Sequence, residues 1–336
     1  MDQKVKSIDG ESDMPQNFLI PIAMGLSIAG FGAYRYLKKH IGNNNNNIFE
    51  EVNKMGPITP SVSTREPIKK ALLVGINKYP KDLDADLEGC VNDVENMRSL
   101  LIKKFKYDPE NIRVVINERA TRQSILDRLY WLLNDSKSGD ELIFHYSGHG
   151  SQVRDRNGDE LNDQLDEILC PHDLDWGNPL SDDILAKLFK QLPSGVFLTM
   201  ICDACHSGTM TRGLNSKKKV RSKNIIPPFD IRSRSLDREI VKNHIGKKDI
   251  GASQRHVLIS GCRDDQTSMD TYINGKYQGA FTWALTKSIK ENPERTWKEA
   301  HSKAVRYLND YDQIPQISGD EDLVSRKVFG GIEEED

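Results

Sequence analysis

The sequence predicts an α/β protein whose central sheet is mostly parallel and covered by helices on both faces. Three observations carry that prediction. Short apolar runs recur at residues 71–77, 112–117, 141–146, 196–202 and 256–260, each bounded by turn-forming or polar residues. Stretches with helical spacing of their apolar residues separate most of these runs. The runs are apolar throughout rather than alternating, as strands buried on both faces must be.

In chain order, residues 1–17 form an N-terminal tail. Phe18 to Tyr34 is a 17-residue run without a charge, near the lower limit for a helix that crosses a bilayer. A transmembrane helix is therefore expected over 18–37. Asp9, Glu11 and Asp13 precede the run, which argues against the basic n-region of a signal peptide; Arg35, Lys38 and Lys39 follow it. That asymmetry places everything downstream on the cytoplasmic side. Secretion after signal-peptide removal is the alternative. Residues 38–67, with Asn43 to Asn47, Gly56, Pro57, Pro60 and Pro67, read as a flexible linker.

The folded domain is expected over 68–330. Its first strand, 71–77, leads into a helix from Glu88 to Phe105, whose Val91, Val94, Met97, Leu100 and Leu101 share a face. After the strand at 112–117, Thr121 caps a helix reaching Asn134. A helix near Asp182–Leu192 precedes the strand at 196–202, and two more, near Ala280–Lys290 and Thr296–Asn309, follow the strand at 256–260. Residues 212–250 interrupt the alternation. Arg212 to Lys248 holds 12 Lys or Arg against 3 Asp or Glu, with Pro227 and Pro228 in its middle, and reads as a mobile basic insertion. Residues 331–336 are an acidic tail.

With 37% hydrophobic and 29% charged residues and a net charge of −3, the composition suits a globular body and gives no reason to expect nucleic-acid binding. Cys90, Cys170, Cys202, Cys205 and Cys262 are odd in number and irregularly spaced, which favours free thiols in a reducing compartment over a disulfide framework.

Ligands of parallel sheets gather beyond the carboxyl ends of the strands. Two strands there run into reactive side chains. One continues into Ser147-Gly148-His149-Gly150, the other into Asp203-Ala204-Cys205-His206. A thiol needs a neighbouring base to act as a nucleophile at neutral pH, and His149 is the candidate partner of Cys205. The backbone N–H groups of Gly150 and Cys205 are candidate oxyanion-hole donors. His145 lies inside an apolar run and reads as a core residue; His206 adjoins Cys205 too closely in sequence to serve as its base. The Cys202-x-x-Cys205 pair leaves redox chemistry open, and with Cys170-Pro171-His172 a zinc site.

HYSGHGSQ (145–152) and DACHSGT (203–209) resemble the two active-site motifs of the metacaspases, caspase-like cysteine proteases. LVGINKY (73–79), GCVNDVENM (89–97), SGCRDDQTS (260–268), GAFTWAL (279–285) and QIPQIS (313–318) extend the resemblance across roughly 68–330. It implies a caspase-like fold of about six strands, a His149 general base and acid, a Cys205 nucleophile, and cleavage after Arg or Lys. The cationic side chain would enter a pocket formed by Asp93 and Asp203, with Cys90 and Ser147 beside them. The resemblance also implies protein or peptide substrates, a monomer and no organic cofactor.

Many metacaspases are activated by calcium, and Asp166, Asp182 and Asp183 match three of the family's ligands. Arg212 stands where a fourth is found, and a cation there opposes the metal. Within the insertion, Lys217, Lys218, Lys219 and Arg221 are candidate self-processing sites. The same cation-rich segment is suited to occupying the acidic pocket and holding the enzyme inactive, or to binding anionic lipid. A membrane-tethered scaffold with little turnover is the alternative function.

Overall fold

The structure, a computed structural model, describes residues 57–59, 64–154, 165–206, 220–231, 256–263 and 266–332. The expected transmembrane helix, the Asn-rich stretch, Lys217 to Lys219 and Arg212 lie outside these residues. Among the described residues no helix is long and apolar enough to cross a membrane.

Six strands form the central sheet: β1 (Lys69–Gly75), β2 (Ile112–Ile116), β3 (Glu141–Ser147), β7 (Phe197–Asp203), β9 (His256–Ser260) and β12 (Gln316–Ser318). Their order is β12-β9-β7-β3-β1-β2, parallel except for the antiparallel edge strand β12. Alternation along each strand sorts the core into two layers. Leu72, Val74, Phe144, Tyr146 and Met200 join one buried cluster, while Ala71, Leu73, Ile143, Ile201 and Ile259 join the other. Apolar residues on both faces explain the unbroken hydrophobic runs of the sequence.

The covering helices are α1 (Cys90–Phe105), α2 (Arg122–Leu133), α3 (Asp182–Phe189), α4 (Ala280–Glu291), α5 (Trp297–Tyr307) and the short α6 (Glu321–Val324). Thr121 does cap α2, its hydroxyl accepting from Ser124 N at 3.2 Å. Thr296 and Glu299 close a reciprocal capping box on α5.

Two small antiparallel sheets, absent from the expectation, flank the carboxyl edge of the main one. One pairs β4 (Gly150–Arg154), β5 (Leu165–Leu169) and β6 (Leu180–Ser181). The other pairs β8 (Arg221–Ser222), β10 (Met269–Ile273) and β11 (Lys276–Gly279).

Two expectations need correction. The end of the expected linker packs onto the domain: Ile58 is buried, and Arg65 donates to both oxygens of Asp140 at 2.8 and 2.6 Å. Residues 220–231 of the expected mobile insertion are likewise held, because β8 hydrogen-bonds to β10 and Lys223 is wholly buried.

Candidate active site

His149 and Cys205 stand on neighbouring loops because their strands are neighbours. β3 and β7 pair in parallel up to Ser147 opposite Asp203, so both chains leave the sheet at one level. Gly148 N then donates to Asp203 O at 3.3 Å. Gly150 approaches the other loop so closely that a Cβ there would lie 2.5 Å from Cys205 O and 2.9 Å from His206 Nδ1. Only glycine fits between these backbones.

The His149 ring is fixed in one tautomer by its surroundings. Its Nε2 lies 2.6 Å from the Ala85 carbonyl, which can only accept, so Nε2 carries the proton. Nδ1 is buried, without a hydrogen-bond partner among the described residues, and is left with its lone pair. Burial lowers the pKa of His149 to about 4, the Ala85 carbonyl acting in the opposite sense. The imidazole is therefore neutral at pH 7 and fit to accept a proton. Cys205 is fully buried, and its thiol donates to Gln266 O at 2.8 Å.

Beside this pair is an acidic pocket, and the chain fills it itself. The Lys223 ammonium lies 3.1 Å from Asp203 Oδ1, 3.3 Å from Asp93 Oδ2 and 3.0 Å from Ser147 Oγ. All three side chains of this ion triad are buried. Burial opposes the lysine charge, but Asp203, Cys90, Asp93 and Asp270 outweigh it and hold the ammonium well above its usual pKa. Asp93 is pushed up to about 6 by burial, while Lys223 pulls it back. Each carboxylate is also anchored: Asp93 accepts from Gly279 N at 3.0 Å and Ser147 Oγ at 2.7 Å, and Asp203 Oδ2 accepts from Thr282 N and Oγ1 at 3.0 and 2.7 Å. These donors satisfy acids that would otherwise be costly to bury. Gly279 is required here as well, since a Cβ would fall 2.1 Å from Asp203 Oδ2 and 2.4 Å from Lys223 Nζ.

The backbone of Lys223 is held as firmly as its side chain. Its carbonyl accepts from Gly150 N at 3.0 Å and from Cys205 N at 3.1 Å, and its N–H donates to Ser268 O at 3.0 Å. On the far side, Ile225 N donates to Gly150 O at 3.0 Å and Ser151 Oγ donates to Ile225 O at 2.6 Å. The segment 221–225 thus runs across the site in extended form, with the Lys223 carbonyl at the two candidate oxyanion donors.

The structure brings together His149, Gly150, Cys205, Asp93, Asp203, Ser147 and Cys90, the last a buried thiol close enough to feel the Lys223 charge. Arg221 lies outside the pocket and ion-pairs with Glu88 at 3.1 Å. Lys223, Gly279, Thr282, Gln266 and the Ala85 carbonyl are parts of the site that sequence reasoning missed. Lys223 is one basic residue among many in the insertion, and nothing local distinguishes it. His145 is a buried histidine whose pKa burial lowers to about 4, in keeping with its core reading.

All five cysteines are reduced. Among the described residues no group of three or more His, Cys, Asp or Glu is placed to hold a metal ion, so the zinc arrangement with Cys170 and His172 does not assemble. Asp166 is buried on β5, and Asp182 and Asp183 open α3 half-buried; they do not form such a group by themselves.

Known proteins resemble this chain in sequence and in fold. Residues 69–213 match the model of the metacaspase peptidase C14 domain. The chain is 32% identical to Metacaspase-1B of Neurospora crassa over 294 residues, 77% of this chain and 68% of that one. It is 36% identical to Metacaspase-1 of Arabidopsis thaliana over 241 residues, 68% of this chain and 61% of that one. A crystal structure of a Geobacter sulfurreducens protein matches with a TM-score of 0.59 at 27% identity, covering 80% of this chain and all of the other.

Proposed function

This chain belongs to the metacaspase family of caspase-clan cysteine peptidases, and from that premise we propose that it is an endopeptidase cleaving after Lys or Arg, with its own Lys223–Asn224 bond as the first substrate. The observation that carries the reading is Lys223 itself. Its ammonium sits between Asp93 and Asp203 while its carbonyl faces the N–H groups of Gly150 and Cys205. A substrate for such a site would lie the same way.

The chemistry follows from that placement. The Cys205 thiol turns from the Gln266 carbonyl and gives its proton to His149 Nδ1 as Sγ attacks the carbonyl carbon. The resulting oxyanion is held by Gly150 N and Cys205 N. Collapse breaks the C–N bond, and His149 returns the proton to the leaving amine. Water then hydrolyses the thioester. Until the bond is cut, the same lysine excludes other substrates, so the intact chain is a latent form.

Peptides ending in Lys, Arg or Asp before a fluorogenic amide test the specificity. Lys and Arg peptides should be cleaved over Asp peptides by at least about a hundredfold, since a third carboxylate would be buried against two others without a cation. His149→Ala should lower kcat by about 10²–10⁴, and Cys205→Ala should abolish turnover. Mass spectrometry of the full chain should find a new carboxyl terminus at Lys223, lost in Cys205→Ala and Lys223→Ala and kept in Lys223→Arg. Preferential cleavage after Asp, or a Lys223 cut that persists without Cys205, overturns the reading.

Two further features belong to the proposal on sequence grounds. Calcium is the expected activator, with Asp166, Asp182 and Asp183 as partial ligands that need further ones to hold the ion, and activity that is the same with calcium or chelator refutes it. The chain is tethered through 18–37 with its catalytic domain facing the cytoplasm, and release of the full chain from membranes by alkaline carbonate refutes that.

A further inference from the structure

We propose a binding site for a polyphosphorylated ligand in the pocket between α1, α4 and the β10–β11 hairpin, centred on Lys103, Lys276 and Lys290. The site lies apart from the peptide-cleaving residues and does not rest on the reading of Lys223. The pocket is open, with a volume of about 510 Å³. Asn96 of α1, Asn274, Lys276 and Gln278 of the hairpin, and Thr286 and Lys290 of α4 line it.

Local structure brings three cations to this one space. Asn274 and Gly275, at φ 52° and 90°, make the two-residue turn of the hairpin and leave Lys276 at its tip. Lys276 Nζ donates to Asn96 Oδ1 at 2.8 Å, and Asn96 Nδ2 donates to Gln278 Oε1 at 3.2 Å, which ties the hairpin to α1. Lys103 follows Asn96 by about two turns on the same face of α1. Thr286 and Lys290, four apart, share a face of α4.

Among the described residues none of the three cations has a carboxylate partner. Partial burial, then the charges of Lys276 and Lys103, lower the Lys290 pKa, and no acid offsets them. Glu291, at the rim, is engaged elsewhere: its carboxylate accepts from the Tyr307 hydroxyl and is attracted by Lys303, Lys287 and Arg295. Lys287 places its ammonium 4.0 Å from the centre of the Tyr307 ring. Other exposed lysines of the domain do find acids, as Lys78, Lys298 and Lys327 do with Asp86, Glu321 and Glu294. Three cations that repel one another around a hollow attract an anion that joins them.

The donors define the ligand class. Ammonium groups are compact point charges, and no guanidinium fork is present to grip a planar carboxylate. A phosphate monoester carries nearly two charges, so three cations match a ligand with two or more phosphates. Gln278 and Thr286, both buried, give the pocket a polar floor. A free polyphosphate and a phosphorylated lipid headgroup present the same groups. Either would bridge α1, the hairpin and α4 and so stabilise the fold.

The test titrates the full chain with inorganic tripolyphosphate at low salt while lysines are acylated and read by mass spectrometry. Lys103, Lys276 and Lys290 should be protected by about fivefold or more, and exposed Lys104, on another face of α1, should be unchanged. In calorimetry, Lys276→Gln or Lys290→Gln should weaken Kd roughly fivefold and the double variant about twentyfold, whereas Lys104→Gln should change it by less than about twofold. Tripolyphosphate at about a hundred times Kd should raise the melting temperature by about 5 °C. Without ligand, Lys290→Gln should not lower it, because the substitution removes repulsion. A short-chain phosphatidylinositol bisphosphate that displaces tripolyphosphate at lower concentration identifies a lipid headgroup as the source; if it does not, the source is a free polyphosphate. Absence of protection, protection shared equally by Lys104, or equally tight binding of a glutamate peptide of the same charge overturns the proposal.

Discussion

At Gly150 a single missing methyl group sets the geometry of the candidate oxyanion site. Gly150→Ala places a Cβ 2.5 Å from Cys205 O, a backbone atom that cannot swing aside. The expected outcome is a folded enzyme with kcat reduced by about 10²–10³, the usual cost of losing one oxyanion donor; circular dichroism and peptide hydrolysis check the two halves. The pH dependence is also set by individual residues. With a cation bound, Asp93 titrates at about 6, raised by burial and eased by Lys223. Its charged form is the one that holds the substrate, so kcat should fall as pH drops through about 6. The acid limb of kcat/KM should lie higher, because the empty pocket lacks the cation that pulls Asp93 down. His149, at about 4, remains neutral throughout that window. Profiles of both constants for a Lys peptide decide this, and a single limb near 4 in both contradicts it. The motifs around His149 and Cys205 identify these two residues from sequence because small residues must surround a reactive pair at the ends of strands. The Ala85 carbonyl and Gly279 N carry no such signature, since every residue offers a carbonyl and nearly every one an N–H.

Five of the six strands of the central sheet are readable from apolar runs because packed helices cover the sheet on both faces; the exposed edge strand β12 is not. Neither are the small sheets. β8 is a two-residue strand of exposed polar residues, and its pairing comes from its neighbour β10 rather than from its own pattern. The junction before β1 is a similar case. Arg65 and the N–H groups of Ile68 and Lys137 all converge on buried Asp140, which locks the chain's entry to the start of β3. Burial would raise the Asp140 pKa, but the Arg65 hydrogen bond and the two N–H donors outweigh it and leave it lowered. A depressed carboxylate stabilises the fold above its unfolded pKa and loses that contribution as pH falls below about 4. Asp140→Ala should therefore destabilise the domain by about 2 kcal/mol near neutral pH, with a smaller difference at pH 3. Urea denaturation at the two pH values measures it.

In the molecule as a whole, a cut after Lys223 need not separate the chain. The sheet interleaves the two sides of that bond: β9 and β12 come after it, yet β9 pairs with β7, which comes before it. Both core layers cross the cut too. Phe329, fully buried, packs edge-on against Phe105 and Trp297 at 4.9 Å each. Self-cleaved protein should run as two fragments on a denaturing gel and as one species in gel filtration. Phe329→Ala should cost about 3–5 kcal/mol and lower the melting temperature of the cut form as well as the intact one.

Burial pattern and motif order, both local properties of the chain, are enough to establish the parallel α/β core, its approximate element boundaries and the His149–Cys205 pair. The occupant of the acidic pocket is a different matter. Lys223 is chemically equivalent to the other cations of its segment, and only the pairing of β8 with β10 selects it by setting the register. That register puts Lys223 between Asp93 and Asp203 and leaves Arg221 at Glu88. Strand register is a relation between distant segments, so it emerges only once the chain has folded.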